Sequence, residues 1–560
     1  MKAADYLAEL LIRQGVTDVF GVPGGVVLDF LYALEARRLK ICPHLCFHEQ
    51  AAGFAASGFA QASGSLGAAY ATRGPGFTNL LTPMADAWQE SLPVLFVTAH
   101  GNVPAAPPEL RAAADQELDA VSLAGGIVKY AARVDRPEDF RSAAQAACRA
   151  ALTGRPGPVL LDVAGALWRQ DVGPAEWENS PPTSPGDPVP ACAALEAMLA
   201  QAKRPVILAG RGVRQSGTVE QVLAFAQARQ IPLLTSRGAQ DLFPDSPLYF
   251  GYIGSRGLRY SNFILSKADF LLVLGNRMAF PPDSRSFAPI LRRAGVFRVE
   301  VDPAELARPL SRTAGCPMDL RSFFAHMAPA PEKSGGSAWF SVCQKLRDRL
   351  WDRDAGEPVP ALAALFHSLP EAFSIVSDVG DHEFWVSRAY ALAGTRHRVL
   401  YSQSFGALGC ALPKSIGVHF QTGGSILCIA GDQGLQMNIQ ELQFIAANRI
   451  PVVILLLNNH ASGMIRGREQ KLFEGRTLHT TPADGYSAPD FRALARAYGL
   501  PYRRLPEEGD GIFTETTSPL FLELEVPMEA RPEPVLPPGE PCQDMRPALD
   551  RALYEELNAL

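Results

Sequence analysis

The sequence lacks paired cysteines. Its nine, at 42, 46, 148, 192, 316, 343, 410, 428 and 542, are scattered with no CxxC spacing, which excludes a disulfide framework and a structural zinc site and favours a reducing compartment, the cytoplasm. It also lacks a basic cluster: 52 Lys and Arg stand against 58 Asp and Glu, for a net charge of −6, so nucleic acid is not an expected partner. No apolar run is long enough to span a bilayer, and the first residues set acids within an amphipathic helical pattern (Tyr6, Leu7, Leu10, Leu11). Neither a membrane partner nor a signal peptide is expected. There is no close internal repeat. What these absences leave is an enzyme or binding protein for small molecules, with 560 residues and 47% hydrophobic content to build more than one full core.

Short apolar runs alternate with helical spacing along the whole chain. Asp18 to Val22, Leu66 to Thr72 and Pro93 to Ala99 read as strands, with helices at Val26 to Ala36 (Leu28, Leu31 and Leu34 inward), from His48-Glu49 onward, and at Leu80 to Trp88. PVILAG, PLLTS, ADFLLVLG and GVFRVEVD continue the rhythm, as do FSIVSDVG, RVLYSQ, SILCIAGD, PVVILLLNN and PLFLELEVP. Such alternation predicts an α/β fold of three doubly wound parallel-sheet domains. Linkers rich in Pro, Gly and Ser near 170–190 and 329–337 set the boundaries. The domains are expected at 1–170, 188–328 and 358–530, followed by a tail at 531–560 whose last helix is Pro547 to Leu557.

The stretch GDQGLQMNIQELQFIAANRIPVVILLLNN, residues 431–459, carries the first chemical signal. A strand delivers Asp432, Met437 to Ala447 has helical spacing, and a second strand ends at Asn459. Parallel strands joined this way bring Asp432 and Asn459 together at their carboxyl ends, where open α/β sheets bind ligands. One Asp and one Asn suit Mg²⁺ with a phosphorylated ligand completing its oxygen shell. The helix opening near Gly434 offers free amides to that phosphate. An ordinary βαβ unit with incidental polar ends is the alternative reading of this stretch alone.

With the N-terminal half in view, the stretch resembles the GDG-to-NN motif of thiamine diphosphate (ThDP) enzymes, and the whole chain resembles acetolactate synthase large subunits. Gln433 stands where that family has Gly or another small residue. HEQAAGFAASGFA matches the segment of the activating glutamate and so implies Glu49 as the carboxyl that bonds the cofactor's pyrimidine ring and shifts its tautomer. Read alone, Glu49 is an acid stabilised at a helix N-terminus. ATRGPGFTN resembles TSGPGATN, implying Thr72, Pro75 and Asn79 as pyrimidine-side contacts. SDVGDHEFW aligns with the diphosphate-side segment, implying Gly380, Asp381 and His382, with Asp381 in place of a usual Gln. SQSFGALGCALPKSIG implies Leu408 as the wedge that bends the cofactor and Gly406 as the backbone carbonyl that accepts from its amino group. Magnesium falls to Asp432, Asn459 and the backbone oxygen of Ala461. Gln433, Gly434 and Met437 border the cofactor, and Met464 lines the reacting centre.

Three departures bear on substrate. His100 replaces the Gln of a TGQ motif and is expected to relay a proton or bond an acceptor carbonyl. Arg468 replaces an acceptor-selecting tryptophan. GNRMAFPPD replaces an RFDDR-like segment, so flavin (FAD) is possible but has no clear motif. The resemblance implies a pyrimidine-binding first domain, a diphosphate-binding third one, and a homodimer or homotetramer. It also implies decarboxylation of a 2-oxo acid, pyruvate in the first place, with transfer of the acyl-anion equivalent to a carbonyl acceptor; the three departures point to a different acceptor, of sugar or anionic aldehyde type. Simple decarboxylation and a catalytically inert binding protein remain the alternatives.

Overall fold

The computed structural model describes residues 1–560 except 103–109, 113, 175, 178–187, 280–283, 309–312, 328–337, 352, 354–355, 507–512 and 514–517. Most of the two expected linkers, and the end of GNRMAFPPD, lie outside the described residues. Eighteen strands among the described residues form three six-stranded parallel sheets.

The first sheet contains β1 (Asp18–Gly21), β2 (Cys42–Leu45), β3 (Gly67–Tyr70), β4 (Val94–His100), β5 (Tyr130–Val134) and β6 (Val159–Ala164), in the order β2-β1-β3-β4-β6-β5. The second contains β7 (Pro205–Ala209), β8 (Leu233–Ser236), β9 (Tyr249–Ile253), β10 (Phe270–Leu274), β11 (Gly295–Glu300) and β12 (Thr313–Pro317), in the order β12-β11-β10-β7-β8-β9. The third contains β13 (Phe373–Ser377), β14 (Arg398–Tyr401), β15 (Ser425–Gly431), β16 (Val452–Asn458), β17 (Tyr502–Leu505) and β18 (Leu520–Glu525), in the order β14-β13-β15-β16-β18-β17. The first and third sheets therefore share one strand order, a repeat of topology that the sequence does not display. The middle sheet follows the doubly wound order 3-2-1-4-5-6 when read from β9. Helices cover both faces, which is why β16, VVILLLN, is buried at every position and reads as an unbroken apolar run.

The chain divides into two compact units. One comprises Met1–Pro182, Ala372–Glu383 and Leu400–Met528; the other comprises Thr183–Glu371, Phe384–Val399 and Glu529–Leu560. The second unit contains the C-terminal tail: Leu536, Met545, Tyr554 and Leu557 join the core of the middle sheet. Its last helix is Arg551–Ala559 rather than Pro547 to Leu557, because Asp550 caps it, accepting from Ala552 N at 3.0 Å and Leu553 N at 3.1 Å.

Within the first unit, the helix Glu49–Ser63 packs face to face on the helix Ala411–Thr422. A methyl at Gly417 would strike the Ala55 carbonyl, and one at Gly58 the Lys414 carbonyl. The small-residue face expected from EQAAGFAASGFA is thus used for backbone-to-backbone contact. Three local expectations differ. RGPGFTN is not all loop, since Pro75–Asn79 forms a short helix with Pro75 at its first turn. Leu28 is exposed while Phe30 and Leu34 turn inward. Met437 to Ala447 is not one helix: Asp432–Gln436 and Glu441–Ala447 are separate. Buried Asn438 sits between them and donates to Gly409 O at 2.9 Å, a bond outside any helix ladder.

Candidate active site

Three loops emerge at the carboxyl end of the third sheet, beside the switch point between β13 and β15 where such sheets bind ligands. Asp378 to His382 follow β13, Asp432 to Gly434 follow β15, and Asn459 to Gly463 follow β16. Asp432 is buried, and burial pushes its carboxyl up to about 6, against the Tyr486 hydroxyl and the Gln433 amide beside it. Its Oδ1 accepts from Gln433 N at 3.0 Å, while Oδ2 is buried without a well-formed hydrogen bond. Asn459 Oδ1 accepts from Ala461 N at 3.2 Å across His460, whose φ of 52° makes a tight left-handed turn. Asp381 joins them: a methyl on Gly463 would stand 2.7 Å from Asn459 Nδ2 and 3.4 Å from Asp381 Oδ2.

His382 fills the floor between these loops. Burial lowers its pKa to about 4, opposed by a hydrogen bond with the Asp378 backbone, so the ring is neutral near pH 7. It packs on Gly431, where a methyl would stand 3.4 Å from Nδ1, and its Nε2 is buried with no hydrogen bond. An oxygen-rich set with one buried carboxylate oxygen that lacks a well-formed hydrogen bond fits a hard cation such as Mg²⁺. The orphaned imidazole nitrogen suits a polar ligand group beside that cation.

Leu408 stands over the same loops. A methyl on Gly434 would come within 3.1 Å of Leu408 Cδ1, and Gly406 before it adopts φ of 71°, the left-handed region. Gly409 N is held by Asp378 Oδ1 and Oδ2 at 2.9 and 3.0 Å. Sequence reasoning missed Asp378, although it lies in the quoted SDVGDHEFW. It is buried, and burial pushes its carboxyl up to about 7. The signal that would have found it is an acid directly after a wholly buried strand.

Glu49, Thr72, Gly76 and Asn79 form a second group, in the segments that follow β2 and β3. Asn79 Nδ2 donates to Glu49 Oε2 at 2.9 Å, and a methyl on Gly76 would stand 2.9 Å from Thr72 Cγ2 and 3.4 Å from Glu49 Oε1. Pro75 is exposed at the rim. The link between the groups is Asn438, which also reaches Gln50 Oε1 at 3.2 Å, one residue from Glu49.

Family models match along the same divisions. The N-terminal TPP binding domain of thiamine pyrophosphate enzymes covers residues 1–123, the central domain 192–327 and the C-terminal TPP binding domain 378–517. The chain is 32% identical to acetolactate synthase 1, chloroplastic, of Oryza sativa subsp. japonica, across 97% of this chain and 87% of that one. It is 30% identical to the acetolactate synthase isozyme 2 large subunit of Escherichia coli, across 97% and 99%. A probable acetolactate synthase large subunit of Methanocaldococcus jannaschii is 32% identical across 96% and 94%. The chain belongs to the thiamine pyrophosphate enzymes.

It is a ThDP-dependent enzyme of acetolactate synthase-like type, and the two groups described fall in its N- and C-terminal TPP binding domains. No helix among the described residues is long and apolar enough to cross a membrane. Within this family frame, Gln433 lies in helical backbone, where no glycine is required, and its Oε1 accepts from Ser462 Oγ at 2.9 Å. Met437, Met464 and Arg468 are exposed, the last two one turn apart on the helix Gly463–Leu472.

His100 closes β4. The ring is buried, with Nε2 at 2.9 Å from Asp135 Oδ1 and Nδ1 at 3.0 Å from Asp162 Oδ2. Burial alone would lower its pKa, but the two carboxylates reverse this and hold it above its usual value. Both nitrogens are engaged, so the ring as placed offers none to an acceptor carbonyl. Asp162 also accepts from Thr98 Oγ1 at 2.7 Å, which makes His100 part of a buried polar network behind the site.

Proposed function

We propose that the enzyme binds ThDP through Mg²⁺ held by Asp432, Asn459 and Ala461, decarboxylates a 2-oxo acid, pyruvate in the first instance, and transfers the acyl unit to a carbonyl acceptor. The observation that carries this reading is the meeting of Asp432, Asn459, Asp381 and His382 at the carboxyl ends of β13, β15 and β16 with Leu408 poised over Gly434. Bound ThDP supplies the carbon centre that stabilises the acyl carbanion. The chain's own residues bind, orient and protonate. Glu49, positioned by Asn79, bonds the pyrimidine side; Leu408 and Gly406 shape the turn the cofactor folds over; Asp432 and Asn459 carry the metal.

The acceptor differs from the keto acid of acetolactate synthases, because Arg468 places a fixed cation with five donors where they have a flat apolar ring. Such a group suits a carboxylate, phosphate or polyhydroxyl partner. The enzyme is proposed to act as a homo-oligomer without a required flavin. Purified protein with ThDP, Mg²⁺, pyruvate and a panel of aldehydes, ketones and keto sugars, read by product mass, tests the reading. A new C–C bonded product supports it. Acetaldehyde alone means simple decarboxylation, and no ThDP-dependent CO₂ release means the fold is kept without this chemistry.

A further inference from the structure

Between the helix Leu81–Glu90 of the N-terminal TPP domain and the turn that carries Gly406 and Leu408 lies a buried polar chain for which the reaction as described has no use. Asp86 is wholly inaccessible. Its Oδ2 lies 2.7 Å from Lys414 Nζ, itself buried at the start of the helix Ala411–Thr422. Its Oδ1 accepts from Ser402 Oγ at 2.5 Å, and that same Ser402 oxygen accepts from Ala407 N at 3.2 Å. Glu90, one turn further along, accepts from Ser404 N, and Gln61 donates to Tyr401 O at 3.0 Å. At its other end the turn is held by Asp378, which accepts from Gly409 N.

We infer that the Lys414–Asp86–Ser402 chain is a positioning device that fixes the Gly406–Leu408 turn from outside the third sheet. The turn contains two left-handed glycines, Gly406 and Gly409, and has no helix or strand ladder of its own. Its backbone is therefore defined by what its amides bond. A buried carboxylate is costly unless paired and bonded, and here both oxygens of Asp86 are used, one by a cation and one by a hydroxyl. Lys414 pairs with Asp86 at 2.7 Å: burial works against the lysine's charge, but Asp86, Cys410 and Glu90 together hold the ammonium above its usual value. Asp86 Oδ1 orients the Ser402 proton by accepting it, which leaves the serine oxygen to receive Ala407 N. The order in which the charges act is thus lysine to aspartate to serine to the turn amide, one residue from Leu408. This places three positioning residues, on two TPP domains, behind the wedge, and it rests on the reading of Leu408 given above.

Two measurements on full-length protein test it. In the first, amide hydrogen exchange of residues 402–410 is followed without cofactor. Ser402→Ala is expected to lose at least tenfold protection in this turn, with exchange in β15 and β16 unchanged, and Ser402→Thr to restore most of it. In the second, deuterium exchange at C2 of bound ThDP is followed, with ThDP affinity by calorimetry alongside. Ser402→Ala is expected to slow it about tenfold at nearly constant affinity. Lys414→Met is expected to act in the same direction on both. Wild-type protection in Ser402→Ala overturns the tether, and lost protection with wild-type C2 exchange overturns its role in positioning the wedge. A wild-type protein that takes up no ThDP would defeat the functional reading instead, and the cofactor-free arm still decides the tether.

Discussion

Ser462 donates its hydroxyl to Gln433 Oε1 at 2.9 Å, and so joins the short helix after β15 to the loop after β16. These segments carry Asp432 and Asn459, the two proposed side-chain ligands of one cation. A glycine at position 433 would leave no such bond, so this chain holds the spacing of the two segments by a side chain. Gln433→Ala is expected to lower unfolding stability by about 1 kcal/mol, the usual net worth of one hydrogen bond. It should also weaken Mg²⁺-dependent ThDP binding. Gln433→Gly should lose roughly a further 1 kcal/mol, because glycine is the poorer helix former. Urea unfolding at fixed pH and calorimetric titration check both; equal stability of all three proteins would mean the bond has no net value.

Which strands were legible follows position in the sheet more than burial. The six that the pattern did not reveal are β2, β5, β6, β9, β12 and β17. Five of these are sheet edges. An edge strand covers fewer neighbours and needs no apolar run: β17 reads YRRL, and β2 and β12 both contain proline, which edges tolerate. The sixth, β6, is interior, and its apolar run VLLDVA is interrupted by Asp162, the acid that Thr98 and His100 use. The site was legible where its residues form short motifs. Asp378, Asp86 and Lys414 were not, because their roles arise from contacts between segments far apart in the chain.

The placement of His100 leads to an expectation in stability. Its folded pKa is raised, so the stabilisation is fully present below the unfolded value near 6.5 and is lost as pH rises through the folded value. His100→Gln removes the cation between Asp135 and Asp162. Breaking a buried pair costs roughly 3 kcal/mol, the low end of the usual range because Asp135 is half-exposed. Urea unfolding should show this deficit at pH 6 and a smaller one at pH 9. Unchanged stability with a lost rate would return His100 to the chemistry.

Glu441 should show the opposite charge logic with the same sign of pH dependence. It is buried beside the Cys46 thiol, and burial pushes its carboxyl up to about 7, against hydrogen bonds from the Phe47 and His48 amides. A carboxyl with a raised folded pKa favours the fold below its unfolded value, and that preference fades as pH rises from about 4 to 7. Glu441→Gln stays neutral throughout. The variant should therefore gain stability relative to wild type between pH 5 and pH 8, by at most on the order of 3 kcal/mol from the size of the shift. Parallel melting-temperature profiles for the two proteins across that range would show that Glu441 is not titrating.

Removing the metal ligand separates fold from cofactor. Asp432 is the anionic member of the proposed set, and its Oδ2 is buried without a well-formed bond to lose. Asp432→Ala should therefore fold and retain its melting temperature within a few degrees, yet lose Mg²⁺-dependent ThDP binding. Chelation of the wild-type protein should mimic it. ThDP affinity that is the same in both proteins would remove Asp432 from the metal site.

Glu49 carries the most demanding expectation, since in the proposed reaction cofactor activation depends on its proton. Asn79 donates to Glu49 Oε2 at 2.9 Å, and Oε1 lies on the side of Gly76, where a methyl would stand 3.4 Å away. One oxygen is thus fixed by a protein donor, and the small residue at 76 keeps the space beside the other clear. Glu49→Gln preserves size and much of the bonding but cannot exchange a proton, so cofactor affinity should persist while exchange at C2 of bound ThDP slows by about 10² to 10⁴, the usual range for a positioned acid or base. Asn79→Ala should slow it less, because it frees the carboxyl without removing it. Deuterium uptake at C2, read by quenched proton NMR, measures both without knowledge of the acceptor. If the Gln variant exchanged at the wild-type rate, Glu49 would be left as the acid that opens its helix, stabilised there by the unpaired amides of the first turn.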